Sequence, residues 1–384
     1  MSSVPLWAYG AILGGSLALS LVLTPVALRV AVRLSIFDHP SASKAHARAV
    51  PYLGGGAIVV SFSVAVLVAA VADPPPSGTP QLAGFLGLAV LLAFVGLLDD
   101  LRGLGPWLRL AVEAAAGLAV WSMGDTAHLA GVPRPLDAVV TIAWIVGVTN
   151  AFNLLDNMDG LSAGVASIAA LAVFAVAFLD RRYLIAALAI ALAGCAAGFL
   201  RHNFHPAKIY MGDAGSLFLG FVLAVLLLKL REHPVTRVDI AVILAVPGVA
   251  LFDTTLVMLS RIANRLSPFS GGQDHTSHRL VRLGMPVPWA VATIYGASVV
   301  LGGSAILMSR LGATVRFVGI VGLLAAAALS AVPLARVDCR SVRWGPDVRG
   351  SARRARAGLQ RAEEPPPVTS RTTSSPRGSA SRAW

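Results

Sequence analysis

The sequence predicts an all-α fold, a polytopic integral membrane helical bundle of about eleven transmembrane helices. Three observations carry that expectation. Of the 384 residues, 56% are hydrophobic and only 13% are charged. The mean hydropathy is +0.74. Soluble domains carry about 25% charged residues, so half that share excludes a soluble globular class. Apolar stretches close to the ~20 residues needed to cross a hydrocarbon core recur along almost the whole chain. They run continuously apolar instead of alternating, which favours helices over barrel strands.

Taken in order, the first apolar segment covers 6–30. It is long and lacks a basic stretch before it, so it is read as a retained span and not a cleavable signal. Segment 53–72 ends at DPPPSGTP, and 81–98 ends at the acidic pair Asp99-Asp100. Segment 106–123 is followed by GDTAHLAGVPRP. Segments 137–155 and 160–179 flank NAFNLLDNMDGLSAG, a polar cluster between two runs apolar enough for a bilayer. After DRR at 180–182 come 183–200, 214–230, 238–259, 287–308 and 312–335. Residues 345–384 are rich in Arg, Pro, Ser and Gly with few large apolar side chains, a composition expected to be disordered. The chain thus divides into a membrane domain, 1–336, and an Arg-rich tail, 337–384.

The net charge is +12, yet from Arg336 onward eleven Arg face four acids. A basic tail on a membrane domain argues against nucleic acid as a partner and for anionic lipid headgroups. Cys195 and Cys339 lie in or beside apolar spans, so neither a disulfide framework nor a thiolate metal site is expected. With eleven spans, the odd-numbered loops and the tail share one side, and those loops carry ten Lys or Arg against six opposite. The positive-inside rule places that side and the C-terminus in the cytoplasm, with the N-terminus outside.

The polar chemistry collects on the same side. Six of the eight His lie there: His39, His46, His202, His205, His275 and His278. Three acidic sites join them at the ends of apolar helices: Asp99-Asp100, Asp156 with Asp159, and Asp213. Each acid alone also suits a helix cap. Five carboxylates on one face with Lys, Arg and His point instead to a functional site, because ionisable groups at a membrane edge are costly. Hard oxygens of this kind suit Mg²⁺, which prefers one or two carboxylates plus substrate phosphates. HExxH, Cys/His clusters and a Walker A loop are absent from the sequence, leaving zinc hydrolysis and nucleotide-driven pumping without an anchor. An ion-coupled transporter predicts acids near the bilayer midplane and two related halves, and neither is visible.

Five blocks carry a resemblance: KAHARAVPYLGGG (44–56), GLLDDLRGLGP (96–106), NAFNLLDNMDGLSAG (150–164), NFHPAKIYMGDAGSLFLGF (203–221) and GGQDHTSHRL (271–280). In that order they resemble the polyprenyl-phosphate N-acetylhexosamine-1-phosphate transferases. The resemblance implies an enzyme of the cell membrane with its active site on the cytoplasmic face, so that 1–336 is the catalytic domain. It implies transfer of a sugar 1-phosphate from a UDP-N-acetylhexosamine to a polyprenyl phosphate (undecaprenyl or decaprenyl), releasing UMP, with Mg²⁺ (or Mn²⁺ in its place) as cofactor. That step would open cell-envelope glycan synthesis, and a homodimer is among the expected assemblies.

Carried over residue by residue, the resemblance makes Asp99 and Asp100 the catalytic pair, one of them a base towards the acceptor phosphate or, in a rival mechanism, a nucleophile. Asp156 and Asp159 join the catalytic set, and Asp213 with Asp156 would hold the metal. Lys44, His46, Asn153, Asn157, Lys208, His275, His278 and Arg279 would bind substrate. His202 and His205 are read as interfacial. Two departures bear on specificity. Asn157 stands where many members have Gly, and the late block has two His where the muramoyl-pentapeptide enzyme of peptidoglycan has three. Together with eleven expected spans, this favours a simple donor, UDP-GlcNAc first, with the pentapeptide transferase as the alternative.

Overall fold

The computed structural model describes residues 5–38, 49–72, 79–127, 131–231, 240–267 and 272–337. Lys44, His46 and the tail from 338 onward lie outside the described residues. Among the described residues the regular structure is helical apart from one small ribbon. It begins with α1 (Leu6–Arg33), followed by the antiparallel pair β1 (Phe37–Asp38) and β2 (Val50–Pro51), which returns the chain to α2 (Gly54–Ala72). Next come α3 (Thr79–Arg102), α4 (Pro106–Ser122), α5 (Arg134–Leu155), α6 (Leu161–Leu179), α7 (Tyr183–Asn203) and α8 (Gly212–Arg231). The remainder is α9 (Ile240–Ala245), α10 (Gly248–Ala263), α11 (Thr276–Arg282), α12 (Val287–Met308) and α13 (Ala313–Ala335). Among the described residues, nine helices are long and apolar enough to cross a membrane. The protein is a multi-pass membrane helical bundle.

Helix α8 is the hub. It packs against α2, α3, α5, α6 and α7, and 89% of its most apolar window is buried inside the protein. Its sequence after Ser216, LFLGFVLAVLLLKL, is apolar on every face, as a helix enclosed by other helices must be. Helix α13 is as hydropathic but buries none of its window, so its apolar surface is what lipid would cover. Lipid tails offer no hydrophobic gain for bringing helices together, so close backbone approach has to supply the packing. A Cβ on Gly55 of α2 would overlap the backbone of Gly215 in α8, and one on Gly96 of α3 would overlap Asp213. These two glycines let α2 and α3 seat against the first turn of α8. Ser20 of α1 adds a cross-helix hydrogen bond to the Cys195 carbonyl of α7, at 2.8 Å.

Three elements depart from the sequence expectation. The single segment 238–259 is divided at Val246–Pro247 into α9 and α10, and α10 runs on to Ala263. Proline has no N–H for the helical ladder and its ring clashes with the preceding turn, which accounts for the break. Helix α3 continues through Asp99 and Asp100 to Arg102, so the acidic pair is part of its last turn. A short helix, α11, forms inside the late histidine block.

The ribbon and the segment before α8 tie the first loop to the hub. Tyr52 bridges Tyr210 in parallel, Gly54 N–H donates to the Tyr210 carbonyl (3.0 Å), and Gly55 N–H donates to that of Met211 (2.9 Å). At the opposite end of α8, Lys229 pairs with Asp125 at 2.5 Å. Gly55→Ala is expected to destabilise the protein by about 1–3 kcal/mol through overpacking. Gly56→Ala, whose added carbon meets nothing within 4 Å, should be neutral or slightly stabilising. Thermal unfolding of both variants in detergent checks the contrast.

Candidate active site

Five helices present one end to a common point: the C-termini of α3 and α5 and the N-termini of α4, α6 and α8. Antiparallel neighbours make this inevitable, and the polar blocks sit at that end. The first turn of α8 is its centre. Asp100, from the last turn of α3, accepts the backbone N–H of Asp213 on Oδ1 (3.0 Å) and that of Ala214 on Oδ2 (3.3 Å). Two amides left without helical partners are thereby capped by a neighbouring helix. Gly212 makes this possible. Its φ is +73°, and a Cβ there would stand 2.5 Å from Asp100 Oδ2. The Tyr52 hydroxyl donates to the Asp100 carbonyl at 2.7 Å, linking the first loop to the same turn.

Asp99 and Asp213 share one cation. Arg109 of α4 donates from Nη1 to Asp99 Oδ2 and to Asp213 Oδ2, each at 2.9 Å. Asp99 Oδ1 also accepts the N–H of Leu104 at 2.6 Å. Asn153 completes Asp213 by donating to Oδ1 (2.8 Å) and also donates to Ser216 Oγ (2.9 Å). Below them Glu113, one turn after Arg109, is fully buried. It accepts a hydrogen bond from Asn150 on Oε2, and its Oε1 lies 3.7 Å from Arg109 Nε.

Asp156 closes α5 beside this group. Burial, followed by the negative charges of Asp213, Asp100 and Asp159, pushes its carboxyl up to about 8. Asp159, one turn on, holds the following loop: its Oδ2 pairs with His205 Nδ1 (2.8 Å) and accepts the N–H of Ala207 (3.0 Å). Lys208 is exposed on that same loop. Asn203 locks the loop against α6 by accepting Gly160 N–H (3.0 Å) and donating to the Ile209 carbonyl (3.0 Å).

The late block is docked onto the central one. Asn157 Oδ1 accepts the Ser277 hydroxyl at 2.6 Å, and Asn157 Nδ2 donates to the Leu154 carbonyl at 2.8 Å. His275 is oriented by Asp253, whose Oδ2 lies 2.8 Å from its Nδ1 and whose Oδ1 accepts Thr276 N–H at 2.6 Å. The His278 ring lies 5.8 Å from the His275 ring, and burial with the nearby His275 charge lowers it to about 4. Arg279, expected at the diphosphate, is turned onto protein oxygens here. It is 1% exposed and donates to the carbonyls of Asp274 and Leu334 and to Ser260 Oγ, a guanidinium closed on protein oxygens.

Sequence reasoning missed Arg109, Glu113, Asn150, Tyr52 and Asp253, and it left His205 as interfacial. Glu113 and Asp253 carried a usable signal, since each is a lone acid inside an apolar run. Arg109 precedes Glu113 by four residues on one helical face, the spacing of a side-chain pair. Tyr52 had no comparable signal.

Among the described residues, no three His, Cys, Asp or Glu side chains already converge as a metal cage. The donor set still fits a hard divalent ion that takes one or two carboxylates and leaves positions for phosphate. Asp213 offers an oxygen to a cation, a place now held by the Arg109 guanidinium.

Comparison with known proteins supplies the family. Residues 82–231, spanning α3 to α8, match the model for glycosyl transferase family 4. A probable undecaprenyl-phosphate N-acetylglucosaminyl 1-phosphate transferase from Bacillus subtilis is 32% identical over 76% of this chain and 83% of its own length. A decaprenyl-phosphate N-acetylglucosaminephosphotransferase from Mycolicibacterium smegmatis is 30% identical over 80% of this chain and 84% of its own. A putative glycosyltransferase from Streptomyces coelicolor is 34% identical over 90% and 81%. The fold and these relatives therefore define a membrane-embedded glycosyltransferase. The chain belongs to glycosyltransferase family 4, the polyprenyl-phosphate N-acetylhexosamine-1-phosphate transferases.

The His278 environment makes a pH prediction. A folded value of about 4 against the ordinary 6.5 leaves stability intact above pH 6.5 and removes it as pH falls towards 4. The full loss is on the order of 3 kcal/mol. The melting temperature of the wild type should fall more steeply over that window than that of His278→Gln. Equal slopes would remove His278 as the source.

Proposed function

We propose that this protein transfers N-acetylhexosamine 1-phosphate, GlcNAc 1-phosphate first among donors, from a UDP-sugar to a polyprenyl phosphate and releases UMP. The observation that carries the reading is the Asp99–Arg109–Asp213–Asn153 constellation at the enclosed N-terminus of α8. The names of the relatives supply the acceptor class, undecaprenyl or decaprenyl phosphate. A soluble donor and a lipid phosphate meet only at a membrane edge, and the carboxylates and the phosphate-compatible cations share one end of the bundle.

In the proposed reaction an oxygen of the acceptor phosphate attacks the β-phosphorus of the donor. The bond from that phosphorus to the bridging oxygen breaks, and the electron pair leaves with UMP. Asp100 has both oxygens committed to α8 amides and keeps the helix end in place. Asp99 is assigned to take a proton from a monoanionic acceptor phosphate, because, unlike Asp100, it is not committed to the α8 amides. Asn153 fixes the orientation of Asp213, and Asn157 holds the late block against the central one. His275, held by Asp253 through its Nδ1, is assigned to the donor. Mg²⁺, when bound, supplies charge neutralisation between two phosphates, and Asp213 with Asp156 would hold it.

The same reading places the active site on the cytoplasmic face, eleven crossings with α4 and the broken α9–α10 unit counted as spans, and the N-terminus outside. Lys44 and His46 stay assigned to the acceptor phosphate, and Lys208 to the substrate. The tail is proposed to meet anionic lipid, and assembly as a homodimer is proposed with it.

Purified protein given UDP-GlcNAc, undecaprenyl phosphate and Mg²⁺ should release UMP. Asp213→Asn should lower that rate by about two to three orders of magnitude with folding intact. Silence across a panel of UDP-N-acetylhexosamines would sink the reaction, and a fully active Asp213→Asn would remove the metal role.

A further inference from the structure

One buried acid has no part in the chemistry above. Glu113 is fully enclosed, one turn along α4 from Arg109, and only one of its oxygens is satisfied: Oε2 by Asn150. Oε1 has no hydrogen-bond partner, and neither does Arg109 Nε, which faces it at 3.7 Å. That separation exceeds a hydrogen bond, and a shift of about 1 Å would close it. Buried carboxylates left half-satisfied are costly, so an unmade bond between two complementary groups calls for an explanation.

Arg109 explains it. A single nitrogen, Nη1, serves both Asp99 and Asp213, while Nε, on the side facing Glu113, makes no bond. One guanidinium therefore has two sets of anions within reach. With no divalent ion bound, it neutralises Asp99 and Asp213. A divalent ion on Asp213 would repel it and leave Asp99 and Glu113 as the anions that compete for it.

We infer that Glu113 is a positioning residue that receives Arg109 when a divalent ion takes the guanidinium's place at Asp213, so that Arg109 and the ion compete and Glu113 sets the balance. Asn150 holds the receiving carboxylate by Oε2 and leaves Oε1 pointed at Arg109. The displacement also frees Asp99 Oδ2, which couples filling of the site to exposure of the proposed base. The inference rests on the metal role of Asp213 proposed above.

The test uses Mn²⁺ alone, with full-length protein in detergent and no substrates, and counts free Mn²⁺ by electron paramagnetic resonance. Glu113→Gln keeps the shape and the Asn150 contact but weakens the acceptor, and Mn²⁺ binding should weaken about tenfold. Arg109→Gln removes the competitor and should tighten binding about tenfold. In the Arg109→Gln background, Glu113→Gln should no longer matter, an outcome that a merely structural role for Glu113 would not give. Arg109→Lys, which keeps the charge but not the fork, is the second variant should Arg109→Gln not be monodisperse, and it should bind more tightly than the wild type. Unchanged or weaker binding in the Arg109 variants, or a Glu113→Gln effect that persists without Arg109, would overturn the inference. Binding in wild type that Asp213→Asn leaves intact would overturn the Asp213 metal role itself, a result separable from the first.

Discussion

The capping of α8 by Asp100 is the interaction on which the rest of the site depends. A helix begins with N–H groups that its own ladder cannot satisfy. The two oxygens of one carboxylate take two of them, and that carboxylate comes from α3. Gly96 and Gly212 permit the approach, because a side chain at either would collide with Asp213 backbone or with Asp100 itself. Once α3 is pinned there, Asp99 is carried beside Asp213. Two carboxylates so placed need a cation between them, and Arg109 is the one the fold supplies.

The positions of the remaining groups follow from the same point. Asn153 reaches Asp213 because α5 packs along α8, where Gly220 admits the backbone of Thr149. The loop after α5 then carries Asp156 into a buried place near three other carboxylates, and burial first and those charges second raise its carboxyl. Asp159 bonds to the loop that leads into α8, and Asn203 bonds to that loop and to Gly160 ahead of α6, so this part of the central block also ties the loop to the bundle. Charge thus concentrates inwards, while the neutral amides and hydroxyls set distances between helices.

The fold class was legible in the sequence because hydropathy and length decide whether a segment can cross a bilayer. Which helix lies at the centre was not. Helices α8 and α13 have similar hydropathy, 2.0 and 2.3, but one is enclosed and the other bare. Hydropathy measures the cost of leaving water and does not distinguish lipid from protein as the destination. Small residues held more information: Gly55, Gly96 and Gly215 lie where backbones meet. The break at Pro247 was not readable from proline alone, since α1 runs unbroken through Pro25.

For the site, the acidic blocks were legible because carboxylates at the ends of apolar helices are too costly to be incidental. Their partners were not, because partnership is a distance and the partners lie on other helices. Arg279 shows the converse. Its type and its block suggested a phosphate contact, but the fold turns its guanidinium onto two carbonyls and Ser260. The cation that does stand between the carboxylates, Arg109, sits in a stretch that reads as an ordinary apolar span. Asn157 changes meaning in the same way. As a departure from a common Gly it suggested donor choice, whereas its bond to Ser277 makes it the strut between the central and late blocks. Any influence it has on the donor must then pass through the placing of α11, and so through His275 at its start, whose orientation Asp253 fixes from the opposite side.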